Sequence, residues 1–312
     1  MSSSATPTGV TAVVVTHNSA RHLSALGHAL GSGSLIPERM LVVDNASLDD
    51  TVACARLAGF EVHETGSNDG FGAACNTAFD IAATEFVLFC NPDVLPSPTA
   101  LERLVTALTS TSAAAIAGAA FDRPFQARRF SRITGNLWSF LPGWLQRPLR
   151  RFEVETSVDP SKDHIVVDYV VGAFILCRAT AVRSVGGFDE GFFLYSEEED
   201  LCRRLGERGW QTLFVPAVTV THKHSTSSDG VDGAAMAPFR FHSLYWYYRK
   251  YHSRLYAELA RCTLATCVMI DRCYRALTRQ RQAYGRKTAI APFRGIEAVR
   301  RDHKRYMDRR VV

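Results

Sequence analysis

The sequence predicts an α/β fold: a mostly parallel central sheet flanked by helices, followed by a C-terminal helical extension. Apolar runs at 10–16, 40–43 and 85–89, with a shorter one at 60–63, each stop at a polar turn and all but the last pass directly into a helix-like segment. Strand, turn and helix in repetition marks parallel βαβ units, because a parallel strand needs a crossover to return. At 46% hydrophobic and 21% charged, 312 residues can bury one full core. Past Pro238 the apolar spacing changes to three or four, which sets the extension apart.

The first run, 10–16, ends in His17-Asn18-Ser19 and leads to a helix over 21–30. The second ends in Asp44-Asn45-Ala46-Ser47, with a helix starting near 49–51. The short strand at 60–63 leads into Gly66-Ser67-Asn68-Asp69-Gly70-Phe71-Gly72 and a helix over 73–83, and the run 85–89 stops at Asn91-Pro92-Asp93. Ligands bind beyond the carboxyl ends of strands in such a sheet. The turns at 16–19, 44–47, 66–72 and 91–93 are therefore expected to converge on one edge.

A helix over 96–108 and a buried strand over 113–120 follow. From 121 to 163 the pattern breaks, with arginines, tryptophans and prolines scattered through it, and a stretch of this length is expected to be a mobile insertion. Order returns with a strand within 166–177, the turn Gly186-Gly187-Phe188-Asp189, a helix over 196–208 closed by Gly209, and a last strand over 212–220 interrupted by Pro216. In the extension Leu244, Tyr248, Tyr251, Leu255, Leu259, Cys262, Thr266, Ile270, Cys273 and Leu277 recur as on one helical face. Its most apolar part, 262–270, is far shorter than a membrane span, so it is expected to lie on a surface.

The net charge of +5 is unevenly placed: residues 275–312 hold twelve Lys and Arg against three acids, so the rest of the chain is slightly acidic. Such a tail suits an anionic membrane surface or nucleic acid. No stacking-aromatic or base-reading motif accompanies it, which argues against nucleic acid. Residues 1–9 lack the basic and apolar regions of a secretion signal and are expected to be a disordered tail. Eight cysteines without a CxxC pair, set in apolar or helical patterns, indicate reduced thiols in a cytoplasmic protein.

Several residues carry chemistry at that edge. Asp44 can accept from a nucleobase N–H or a ribose hydroxyl, or it can cap its own turn. The 66–72 loop offers glycines for close backbone approach, with Asn68 and Asn76 as neutral donors and acceptors, though a plain turn before a helix explains it equally well. Asp93 can hold a divalent cation against a diphosphate, or simply cap the Asn-Pro-Asp turn. Among Glu197, Glu198, Glu199 and Asp200, successive steps of roughly 100° allow one or two to face a cleft. Burial and like charge would raise the pKa of the inward one, as suits a general base, while the helix dipole alone explains an acidic first turn. His222 follows a strand and could complete a metal site.

Together, Val13-Val14-Val15-Thr16-His17-Asn18, Val42-Val43-Asp44-Asn45-Ala46-Ser47, Asn68-Asp69-Gly70-Phe71-Gly72 with Asn76, Asn91-Pro92-Asp93, Gly186-Gly187-Phe188-Asp189, the stretch from Phe193 to Leu201 and His222 resemble glycosyltransferase family 2, which has the GT-A fold. Within it the chain is most similar to bacterial rhamnosyltransferases. The resemblance implies inverting transfer of a sugar, expected to be L-rhamnose, from a dTDP- or UDP-sugar to a polyprenyl-diphosphate-linked or other cell-envelope glycan. It implies that Thr16, His17, Asn18, Asp44 and Asn45 hold base and ribose, and that Asn68, Gly72, Asn76 and Asn91 line the sugar-nucleotide pocket. Asp93 would bind Mg²⁺ or Mn²⁺ with help from His222. The family's Asp-x-Asp is Asn91-Pro92-Asp93 here, with one carboxylate, and its Glu-Asp base pair is Glu197-Glu198, which points to Glu198 with Glu197 in reserve.

Residues 10–238 are then expected to form the transferase domain, with a nucleotide half at 10–95 and an acceptor half at 164–238. The extension 239–312 would hold it on the inner membrane face, since apolar burial and basic charge together anchor a peripheral protein. A competing reading is a non-catalytic nucleotide-sugar-binding or membrane-interaction module, favoured by the single carboxylate of Asn91-Pro92-Asp93.

Overall fold

Seven consecutive small or β-branched residues, Val-Thr-Ala-Val-Val-Val-Thr, make β1 (Val10–Thr16), which lies between β2 (Arg39–Asp44) and β4 (Phe86–Cys90), parallel to both. In the computed structural model residues 9–121, 128–140, 158–222 and 231–277 are described. The N-terminal tail before residue 9, much of the 121–163 insertion and the basic stretch 278–312 lie outside them. The chain divides into two compact units, Met1–Arg129 with Glu155–Glu190 and Glu198–Lys223, and Phe130–Val154 with Gly191–Glu197 and His224–Val312.

The first unit holds the sheet, whose further strands are β3 (Glu61–Glu64), β5 (Val94–Pro96), β6 (Ala114–Phe121), β7 (Ile165–Val167), β8 (Phe174–Arg178) and β9 (Gln211–His222). Their order is β3-β2-β1-β4-β8-β6-β9-β5, with β7 also on β9. The parallel arrangement holds from β3 to β4, and β8 then runs against both its neighbours. Helices α1 (Ala20–Gly31), α2 (Thr51–Leu57), α3 (Phe71–Ile81) and α4 (Ala100–Thr109) are the expected crossovers. Two three-residue strands, β5 and β7, are too short to show a period.

One core joins Val10, Ala12 and Val14 of β1 to Leu23, Leu26 and Leu30 of α1 and Leu101, Leu104 and Leu108 of α4. Elsewhere Phe89 of β4 meets Phe79 of α3 and Phe188 edge-on, at 5.1 and 5.7 Å between ring centroids. Pro216 sits where β9 slips against β6, the pairing passing from Ala119↔Val215 to Ala120↔Thr219. A residue without an N–H is tolerated there because the bulge leaves it out of the ladder. Gly118 of β6 faces Val170, and a Cβ on it would lie 2.6 Å from that side chain.

After β8 come α6 (Ala179–Ser184) and the turn at Gly186 and Gly187, both at positive φ. Helix α7 (Glu197–Glu207) is followed by Gly209 at φ 83°. The second unit contains α5 (Ile133–Phe140), α8 (Val231–Tyr251) and α9 (Arg254–Leu277). Over the described residues 231–277 the chain forms two helices rather than one, because Ser253 takes the N–H of Tyr256 on its hydroxyl and that of Ala257 on its carbonyl, opening α9. Ala257, Ala260, Leu264 and Val268 are buried, whereas Leu255, Leu259 and Ile270 of the face read from the sequence are 71%, 55% and 62% exposed. Helix α9 is therefore apolar on two sides. Among the described residues no helix is long and apolar enough to cross a membrane.

Candidate active site

The ends of β1 and β2 are locked into one polar corner. Asp44 is buried, and its Oδ1 accepts from Thr16 Oγ1 at 2.8 Å and Ser47 Oγ at 2.5 Å while Oδ2 accepts the Ser47 N–H at 2.9 Å. The turn cap read from the sequence is therefore formed. His17 Nδ1 lies 2.8 Å from the Asn45 carbonyl, and the Asn45 N–H donates to the Thr16 carbonyl. Asn18 takes the left-handed conformation, φ 53°, which asparagine tolerates. Its Oδ1 accepts the Leu48 N–H at 2.7 Å, while its Nδ2 is buried without a hydrogen-bond partner. An orphaned amide donor of this kind is unfavourable unless something binds there. Ala46, also left-handed at φ 55°, adds strain at the same turn.

The 66–72 loop is joined to this corner by Asn45 Nδ2, which donates to the Gly70 carbonyl at 3.1 Å. Asn68 Oδ1 accepts the Gly70 N–H at 3.3 Å, and Gly70, at φ 105°, opens α3, where Gly72 is buried. Asn76 is placed differently. Its Nδ2 donates to the Phe188 carbonyl and to Glu190 Oε1, and its Oδ1 accepts the Phe188 N–H, so it clamps the turn after α6.

Asn91 donates its N–H to the Ala173 carbonyl at 2.9 Å and accepts the Val94 N–H, which leaves Asp93 on a short turn between β4 and β5. Strand pairing sets His222 opposite Val94, so Asp93 and His222 stand at neighbouring strand ends. Among the described residues no group of three or more His, Cys, Asp or Glu could hold a metal. Asp93 supplies one carboxylate at this edge, and small hard cations are held by one or two carboxylates together with substrate phosphate oxygens and water.

Tyr195 and Ser196 precede α7 with positive φ, 71° and 66°, a conformation that costs such residues on the order of 1 kcal/mol or more each. Glu197 is buried at the first position of the helix. Glu198 keeps some exposed surface, yet its Oε2 is buried without a hydrogen-bond partner and its Oε1 accepts the Gly172 N–H at a long 3.4 Å. Burial raises its pKa, against the opposing pull of the backbone N–H groups of Glu198 and Gly172 and the charge of Arg128. Asp200, by contrast, is fully buried and paired with Arg204 at 2.7 Å. Gly172, Ala173 and Ser47 make contacts to which the sequence assigned no role, Ser47 being expected only as part of the 44–47 turn. A small-residue pair ahead of an apolar strand is the one signal that singles out the first two.

The fold is that of GT-A glycosyltransferases. Residues 11–185 match the Glycosyl transferase family 2 profile, and the chain belongs to that family. It is 30% identical over 272 residues to the N-acetylglucosaminyl-diphospho-decaprenol L-rhamnosyltransferase of Mycobacterium tuberculosis, covering 81% of this chain and 88% of the relative. Rhamnosyltransferase WbbL of Escherichia coli is 27% identical over 198 residues, 59% of this chain and 72% of the relative. Among solved structures, the mannosyltransferase PcManGT of Pyrobaculum calidifontis in complex with GDP-Man and Mn²⁺ superposes with a TM-score of 0.58 at 18% identity, over 86% of this chain and 78% of that one. The chain is a glycosyltransferase.

Proposed function

We propose that the protein is an inverting rhamnosyltransferase that moves L-rhamnose, or a related sugar, from a dTDP- or UDP-sugar to a polyprenyl-diphosphate-linked glycan at the inner membrane face. The names of its relatives support the sugar and the acceptor class. The observation that carries the chemistry is Glu198 Oε2, a carboxylate oxygen out of water with its hydrogen-bonding capacity unfilled. A base of raised pKa that is held this way suits proton removal from a sugar hydroxyl.

In this mechanism the corner of Thr16, His17, Asn18, Asp44 and Asn45 holds base and ribose, with the orphaned Asn18 Nδ2 donating to the nucleotide. Asn68, Gly72 and Asn91 border the sugar-diphosphate, and Asn76 acts by fixing the turn at Phe188. Glu198 accepts the acceptor proton, and the hydroxyl oxygen attacks the anomeric carbon opposite the departing diphosphate. Glu197, next to it, is the alternative base. Asp93 and His222 would hold Mg²⁺ or Mn²⁺, which when bound neutralises the charge of the leaving diphosphate. The exposed face of α9 and the basic stretch after it would rest on anionic lipid.

Two measurements test this reading. A panel of dTDP-, UDP- and GDP-sugars with and without Mg²⁺ or Mn²⁺ should raise Tm for one nucleotide class in a metal-dependent way. Transfer to a polyprenyl-diphospho-GlcNAc acceptor should fall about 10²-fold or more in Glu198→Gln with donor stabilisation retained. Near-normal turnover in that variant removes Glu198 as the base.

A further inference from the structure

Glu198 sits in the first turn of α7, where the backbone N–H groups of Glu198 and Glu199 favour its negative charge. Oε1 has one long bond from Gly172, and Oε2 has no hydrogen-bond partner. Its own helix adds negative charge, since Glu199 is buried one residue on. Cys202, one turn further, is a thiol that burial pushes up to about 12, with the charges of Glu198 and Glu199 adding to that effect. From the strand side the cluster meets the buried Tyr169, whose phenol is held neutral by burial and by Glu199. After the backbone N–H groups of Glu198 and Gly172, the side-chain charge that favours the ionised form of Glu198 is that of Arg128.

Geometry gives Arg128 little freedom. Its backbone forms an isolated antiparallel bridge with Tyr169, N–H to carbonyl in both directions at 3.2 and 3.3 Å, and its guanidinium bonds the Tyr169 hydroxyl. Tyr169 is itself fixed, because the next residue, Val170, is pressed onto Gly118 of β6. Two residues further on, Gly172 carries the N–H that meets Glu198, so Arg128 and Glu198 are referred to the same short stretch of chain.

We propose that Arg128 is a positioning residue for the transfer: from its bridge to Tyr169 it holds a fixed positive charge beside Glu198 and keeps that buried carboxylate anionic until the acceptor hydroxyl arrives. The acceptor O–H bond then breaks with its proton passing to Glu198. The sugar C–O bond forms as the bond to the diphosphate breaks, and the electron pair leaves with the diphosphate. The proposal rests on Glu198 being the base.

The test uses the full chain. A pH titration of the carboxyl C=O stretch by difference infrared spectroscopy, assigned by its loss in Glu198→Gln, reads the protonation of Glu198 without any substrate. In Arg128→Gln the midpoint should rise by about one pH unit or more, the range expected when an opposite charge is removed from a carboxylate. Arg128→Lys should return most of the shift. With dTDP-rhamnose and a polyprenyl-diphospho-GlcNAc acceptor, the acid limb of kcat should move up by the same amount. An unmoved midpoint in Arg128→Gln, with unchanged circular dichroism and Tm, overturns the proposal. Should that variant fail to fold, Tyr169→Phe keeps the backbone bridge and removes the guanidinium's anchor; a smaller upward shift supports the proposal, and no shift overturns it. If instead Glu198→Gln retains turnover, the base assignment fails, whereas the infrared midpoint still reports on the pairing.

Discussion

Asn76 holds both backbone groups of Phe188: Oδ1 accepts its N–H at 2.8 Å and Nδ2 donates to its carbonyl at 3.0 Å. Gly187 makes this contact possible, since it sits at φ 76° and a Cβ there would lie 2.5 Å from Asn76 Oδ1. Asn76→Ala strands these groups and should lower stability by about 1–3 kcal/mol, read by chemical denaturation without nucleotide. A side chain that serves only a ligand pocket would instead leave stability unchanged and raise the donor Kd.

Asp44 accepts three hydrogen bonds from Thr16 and Ser47. Asp44→Ala is expected to lower Tm before any donor is added, by an amount corresponding to about 1–3 kcal/mol. Loss of donor binding with an unaltered Tm would show that the turn does not depend on this carboxylate.

Gly118 has no room for a methyl group against Val170. Gly118→Ala should cost about 1–3 kcal/mol through overpacking. Val170→Ala in the same chain should recover much of that loss, giving a non-zero coupling in a double-mutant cycle.

Glu198 also predicts a stability change with pH. Its folded-state pKa is raised by burial, so folding favours the protonated form. That contribution is complete below the ordinary carboxylate pKa and is lost as pH rises through the folded value. Glu198→Gln cannot ionise, so it should be more stable than the parent at neutral pH and converge with it below about pH 4. Denaturant melts at several pH values read the difference directly.

The exposed side of α9 separates folding from attachment. Leu259→Glu and Ile270→Glu change residues 55% and 62% exposed, so Tm should hold. Co-sedimentation with vesicles rich in anionic lipid should weaken about tenfold or more for each, given that burying such a side chain is worth about 1.5–3 kcal/mol. Unchanged sedimentation would assign attachment to another part of the chain.

The parallel half was legible because its signal is local: β1, β2 and β4 are apolar runs that stop at polar turns, and the runs predict the strands to within a residue or two. The reversal of β8 was not legible, since strand direction is set by partners far along the chain, as when Cys90 pairs with Phe174. The same holds for the site. Asp44 finds its turn partner three residues away, whereas Asn76 binds a residue 112 positions on, which no spacing rule reaches. The helical period of α9 was visible, yet with apolar residues on two sides it could not say which side the fold covers.

Because β8 runs backwards, the residues that lead into it, not those that end it, meet the strand ends of the parallel half. The carbonyl of Ala173 fixes the turn that carries Asp93, and the N–H of Gly172 fixes Glu198. Both groups belong to the main chain of two consecutive residues, so the spacing between the two acids is measured out by backbone rather than by side chains.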